Sequence, residues 1–240
     1  HFKAIEYGGE AVRAMDMEAR TVLANMAAEL GGETGLVEPD ATTLAHIRAH
    51  GGKSDEADIA RWRSDEGAPY ERVFALDAST LAPQVAAPHS PSNSADITAH
   101  EGVKIDQAYI GACVGAKLSD LHMAASVLKG QKVAKGVRLL VAPASAKVTE
   151  AAAKDGTLAI LSEAGAIMLP SGCGACAGLG AGLLAEGEVC LSSTNRNFKG
   201  RMGHKDAEVW LGSPFTVAAG AIAGKITDPR AVLAERRRAA

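Results

Sequence analysis

The sequence runs to 240 residues, enough for one large domain or two modest ones with a real core either way. A formal net charge of -3 gives no basic field to draw nucleic acid or lipid headgroups, and no apolar run reaches membrane-span length or forms a signal peptide. The protein therefore reads as soluble and cytoplasmic, without nucleic-acid or membrane partners, and with 47% hydrophobic but only 4% aromatic residues its core must be built from Ala, Val, Leu and Ile.

The chain opens at His1 rather than Met and runs straight into HFKAIEYGGEAVRAM, which reads as a piece of something longer or a product of cleavage. Residues 10–30, rich in Ala, Met, Leu and Glu and free of proline, predict one long helix stopped by Gly31-Gly32. A second helix is expected from Thr42 to His50, capped by Asp40 or Thr42, and a short one around Glu56 to Arg63. YERVFALDAS reads as a strand. Residues 82–100, with three prolines and many small polar residues, read as a linker between a helix-rich part at 1–81 and an α/β part at 101–240.

Beyond that point strand and helix alternate. Strands are expected at Gln107 to Ile110, at 137–143, 166–170 and 188–194, and in AEVWLGSP at 207–214. Helices are expected from Ser119, as N-cap, to Leu128, from Ala146 to Ala164 with a break near Asp155-Gly156, and in TVAAGAIAG. Apolar strands separated by helices predict a mainly parallel sheet flanked by helices, an α/β fold.

In such a sheet functional residues gather where strands end. Cys113 follows QAYI, Cys173 and Cys176 follow AIML, and TNRNFKGR follows EVCLSS. The CxxC spacing alone leaves a zinc half-site, a redox pair, an iron–sulfur site and plain burial open. Zinc would need further ligands, and His122 and His204 lack paired-His spacing. Three thiolates are one short of the usual four of a 4Fe-4S cluster and would leave one iron open as a Lewis acid. Cys190, among apolar neighbours inside a strand, reads as a buried thiol. Arg196 and Arg201 are suited to forked grips on carboxylates, with Asn195 and Asn197 as neutral donors. Asn25 and Glu29, four apart in the otherwise apolar LANMAAEL, share a helix face, which suits either an active-site lining or a solvated side.

The motifs taken together are similar to the aconitase superfamily, in particular its branch of 3-isopropylmalate dehydratase and homoaconitase large subunits. They include HFKAIEYGGEAVRAMDMEARTVLANMAAELGG, PQVAAPHSPSN, DQAYIGACVGAKLSDLHMAA, LPSGCGACAG, SSTNRNFKGRMG and GSPFTVAAGAIAGKITDP, in order along nearly the whole chain. The resemblance implies an aconitase-like fold in which Cys113, Cys173 and Cys176 ligate a 4Fe-4S cluster. It also implies that Asn25 and Glu29 line the active site, and that Asn195, Arg196 and Arg201 bind substrate carboxylates or the polar network. The implied activity is a hydro-lyase that dehydrates and rehydrates a hydroxy di- or tricarboxylic acid such as 3-isopropylmalate, in leucine biosynthesis. Val114-Gly115 stand where the family has Thr-Asn, and Lys117 stands near a family arginine. The family's Asp-Ser-His segment and its catalytic serine are absent, so the missing N-terminal half of the large subunit and a small, swivelling-domain subunit are the expected partners. An electron-transfer iron–sulfur protein, an RNA-binding relative without its cluster, and a structural zinc domain are the competing readings.

Overall fold

The computed structural model describes residues 3–239, with side chains as far as Ala234; the opening His1 and Phe2 lie outside it. The chain divides into one compact unit ending at Leu81 and a second beginning at Ala82.

The first unit pairs β1 (Ala4–Tyr7) in parallel with β2 (Thr34–Val37). Between them lie α1 (Glu10–Arg13) and α2 (Met17–Met26), with α3 (Ala41–Ala49) and α4 (Glu56–Ala60) following. The expected helix at 10–30 is thus broken at 14–16. Asp16 starts α2 afresh by accepting the Ala19 amide at 2.8 Å. The Arg20 guanidinium takes the Arg13 and Met15 carbonyls, both at 3.0 Å, which a continuous helix would have used itself. Asp40 accepts the Thr42 and Thr43 amides at 2.9 and 3.2 Å, while Thr43 Oγ1 accepts the Asp40 amide at 3.3 Å, so α3 starts with a reciprocal cap. YERVFALDAS is not a strand: it pairs with no ladder among the described residues, and Val73, Phe74 and Leu76 are 78%, 82% and 74% exposed.

The second unit is a seven-stranded sheet. Its strands are β3 (Gln84–Ala86), β4 (Ser94–Asp96), β5 (Gln107–Gly111), β6 (Arg138–Ala142), β7 (Ile167–Met168), β8 (Val189–Ser192) and β9 (Glu208–Leu211), in spatial order β4-β3-β9-β8-β5-β6-β7. From β9 to β7 every pairing is parallel; β3 runs antiparallel to β9 and to β4. Residues 82–100, expected as a linker, thus carry two short strands of this sheet joined by turns. The prolines bracket β3 and β4 instead of interrupting them, and Val85 and Ile97 are fully buried.

Alternate residues of each strand enter two different cores. Ala108, Ile110, Leu139, Val141, Leu191 and Trp210 face one side. There they meet Leu121, Ala124 and Leu128 of α6 (Leu118–Leu128), Ala152 of α7 (Ala146–Lys154), Leu161 of α8 (Thr157–Ala164), and Val217 and Ala218 of α9 (Pro214–Ala223). Tyr109, Leu140, Ala142, Cys190, Val209 and Leu211 face the other, where loop residues Ala175, Cys176, Leu184 and Met202 cover them. One face of the sheet is thus roofed by the cysteine and arginine segments themselves. Helix α6 is capped by Lys117, not Ser119, because Asp120 reaches back to the Lys117 amide at 2.9 Å. Helices α7 and α8 part at Asp155-Gly156, where Gly156 takes φ +85°. A last helix, α10, spans Pro229–Ala239.

Candidate functional site

Strand β5 lies between β8 and β6, and the chain proceeds from β5 outward on one side and from β8 outward on the other. Such a reversal opens a crevice at the carboxyl ends of the strands. Cys113 lies just past the end of β5, in the one-turn α5 (Ala112–Gly115), and Asn195 and Arg196 lie just past the end of β8. The chain turns sharply into α5: Ala112 holds φ +68°, a conformation costing about 1–3 kcal/mol for a residue with a side chain, and Cys113 is left exposed. Gly111 has to be glycine, because a Cβ there would stand 2.1 Å from the Tyr109 ring.

Cys173 and Cys176 leave β7 in a turn tied to the end of β6. The Gly172 amide donates to the Pro143 carbonyl at 3.3 Å, and the Thr149 and Ser171 hydroxyls pair at 2.8 Å. The Cys176 amide closes the turn on the Cys173 carbonyl at 3.0 Å. The next stretch pairs with the arginine segment, the Leu184 amide donating to the Met202 carbonyl at 2.9 Å and the His204 amide to the Leu184 carbonyl at 2.8 Å. Arg201 is thereby drawn to Cys176. Burial pushes the Cys176 thiol up, and the Arg201 guanidinium, attracting and hydrogen-bonding it, opposes that shift. Cys113 follows β5 and Cys173 and Cys176 follow β7, so all three thiols lie past the carboxyl ends of parallel strands. Among the described residues no three His, Cys, Asp or Glu side chains close on a single-ion position. Arg201 Nε is buried and meets no acceptor among the described residues, an open donor beside the thiols.

Cys190 stands apart. It pairs in register with Gln107 in the body of the sheet, is fully buried, and burial pushes its thiol up to about 12. Asn195 is buried and Arg196 half-buried at the strand end. Asn197 is not a free donor: its amide nitrogen donates to the Ala87 and Val209 carbonyls at 2.7 and 3.1 Å, lacing β3 to β9. Lys117 is committed to Asp120 Oδ2 at 3.1 Å and to the Val114 carbonyl at 2.5 Å. His122 pairs with Asp155 at 2.7 Å. Asn25, in α2, and Glu29, in the hydrogen-bonded turn after it, are half-buried in the first unit.

Sequence reasoning missed Ser193. Its hydroxyl donates to the Gly115 carbonyl at 2.8 Å and accepts the Gly111 amide at 3.2 Å, fixing the turn that carries Cys113 to the strand end that carries Arg196. Nothing in SSTNRNF distinguishes this serine from its neighbours; only the pairing of β5 with β8 brings it to that turn.

A family model described as "Aconitase family (aconitate hydratase)" matches residues 2–224. The chain belongs to the aconitase family. Within it, the chain is 48% identical over 232 residues to the 3-isopropylmalate dehydratase large subunit 1 of Methanopyrus kandleri, covering 97% of this chain and 54% of the relative. It is 46% identical to the methanogen homoaconitase large subunit of Methanocaldococcus jannaschii, over 95% of this chain and 55% of the relative. It is 45% identical to the 3-isopropylmalate dehydratase large subunit of Oleidesulfovibrio alaskensis, over 95% and 54%. The chain spans about half the length of the curated relatives it matches. Membership of the aconitase family agrees with the mostly parallel α/β sheet.

Proposed function

We propose that this chain carries the cluster-binding and part of the carboxylate-binding surface of a hydro-lyase that isomerises a hydroxy di- or tricarboxylic acid such as 3-isopropylmalate. One observation carries the reading. Cys113, Cys173, Cys176 and the Arg196–Arg201 segment all leave the carboxyl ends of one parallel sheet, with Arg201 against Cys176. Relatives named as dehydratase and homoaconitase large subunits support it.

The three thiolates would hold a 4Fe-4S cluster. When bound, the cluster supplies a Lewis acid at an iron that no protein thiolate occupies. Cys190 is too deep in the sheet to be a fourth ligand, which favours this reading over electron transfer. Arg201, with its open Nε–H, and Arg196 would grip substrate carboxylates in the forked geometry that guanidinium allows. Asn195 would add a neutral contact. Asn25 and Glu29 are assigned to the same reaction on their motif, Glu29 orienting water. The proton on the neighbouring carbon would go to a base outside this chain, in the small subunit.

A polypeptide equivalent to the half of the relatives that this chain does not span would pack on the first unit. Supporting this, that unit exposes Trp62, Val73, Phe74 and Leu76, and holds a cleft of about 540 Å³ lined by Leu36, Ile47, Ile59 and Trp62.

Anaerobic purification with iron and sulfide analysis tests the cluster; near-equal iron and sulfide are expected, and zinc alone would overturn the reading. An electron paramagnetic resonance signal that changes on adding the acid is expected of an open iron and not of an electron carrier. Assay with the small subunit on isopropylmalate, homocitrate, dimethylmalate and citrate ranks the substrates.

A further inference from the structure

We infer that Tyr109 is a positioning residue that sets the spacing between Cys113 and the Cys173–Cys176 turn, an inference that rests on the proposed three-thiolate site. Tyr109 is fully buried on the face of the sheet that the cysteine turn roofs. A buried phenol needs a hydrogen-bond partner for its hydroxyl. Here that partner is the turn: the hydroxyl donates to the Cys173 carbonyl at 3.5 Å, the same oxygen that takes the Cys176 amide at 3.0 Å. A Cβ on Gly174 would stand 3.3 Å from that hydroxyl, so the turn lies directly against it.

The other side of the ring faces the Cys113 segment. Gly111 passes so close to the ring edge that no Cβ fits, and the Tyr109 carbonyl accepts the Ser193 amide at 3.0 Å. Strands β5 and β7 are not neighbours, since β6 lies between them. The ring therefore reaches across β6, beside Leu140 and Ala142, and joins two ligand-bearing segments that the backbone ladder does not join. Outer groups that orient metal ligands change metal affinity by about 10–100-fold when removed, and a single neutral hydroxyl falls at or below the low end of that range.

The test compares the full chain with Tyr109→Phe, which keeps the ring and removes the hydroxyl. After anaerobic reconstitution, the variant is expected to lose iron in air about two- to tenfold faster and to show shifted g-values, with far-ultraviolet circular dichroism unchanged. In the metal-free chain, a short bis-maleimide should bridge Cys113 and Cys173 with lower yield in the variant. Unchanged g-values, iron loss and bridging in a variant whose parent loads a cluster would overturn the inference and leave the proposed function standing. A parent chain that takes up no iron or sulfide, but whose bridging still drops with Tyr109→Phe, would remove the cluster and keep the positioning role.

Discussion

The Ser193 hydroxyl donates to the Gly115 carbonyl at 2.8 Å, and the backbones there are so close that a Cβ on Gly115 would stand 2.0 Å from the Ser193 carbonyl oxygen. The turn bearing Cys113 and the segment that leads from β8 to Arg196 are thus locked by both a bond and a steric fit. Ser193→Ala strands the buried Gly111 amide and Gly115 carbonyl and should cost about 1–3 kcal/mol in denaturant unfolding. Gly115→Ala should cost at least about 1–3 kcal/mol by overpacking. A Gly115→Ala midpoint equal to the parent's would show that Ser193 yields easily.

Thiol chemistry should sort the four cysteines into two classes. Cys113 and Cys173 are exposed, while Cys176 is 4% exposed and Cys190 fully buried. In the metal-free native chain a maleimide should label Cys113 and Cys173 first, and Cys190 only on unfolding, which peptide mass mapping reads directly. Cys190→Ala should retain full iron content, whereas Cys176→Ser should abolish turnover and lower iron; rapid native labelling of Cys190 would contradict its placement.

Arg201 should act on substrate rather than on folding. Arg201→Lys keeps the charge and loses the fork, removing charged hydrogen bonds worth about 1.5–3 kcal/mol, so kcat/KM in the assembled enzyme should fall by about tenfold to a hundredfold. Steady-state kinetics on the preferred acid measures this, with thermal unfolding as the control.

Arg20 and Asp40 make the first unit sensitive to acid. Arg20, 3% exposed, holds both Asp40 oxygens, at 2.8 and 2.7 Å. The Arg20 hydrogen bonds lower the Asp40 carboxyl to about 2, against the burial that would raise it. A depressed carboxyl contributes stability that is complete above its unfolded pKa of about 3.9 and is lost as pH falls through the folded value. Asp40→Asn preserves the helix cap and removes the charge. It should cost about 1–3 kcal/mol at neutral pH, less than a fully buried pair because Asp40 is 33% exposed, and should flatten the stability profile between about pH 4 and pH 2. Urea titrations across that range decide it.

Much of the second unit was legible in the sequence because its signals are local. The apolar runs at β5, β6 and β8 and the glycine break at Asp155-Gly156 each act within a few residues. The misreadings came where a distant partner overrode the local pattern. Arg20 consumed the carbonyls that a helix at 10–30 needed. The proline-rich residues 82–100 gained a ladder from β9, and the apolar residues at 71–80 found none. Asn197 looked like a site donor until its amide was spent on two backbone carbonyls.

The sequence by itself determined the family, the alternation of strand and helix, and the three cysteines and two arginines in strand-end segments, because residue type and spacing act along the chain. Only the tertiary structure decided which of these meet. Strand order puts β5 at the switch point, draws Arg201 onto Cys176 and sinks Cys190 into the sheet. It also puts Tyr109 and Ser193 between segments far apart in sequence. Contacts of that kind depend on which strands pair and which face each residue takes, and a one-residue change of register would exchange every face.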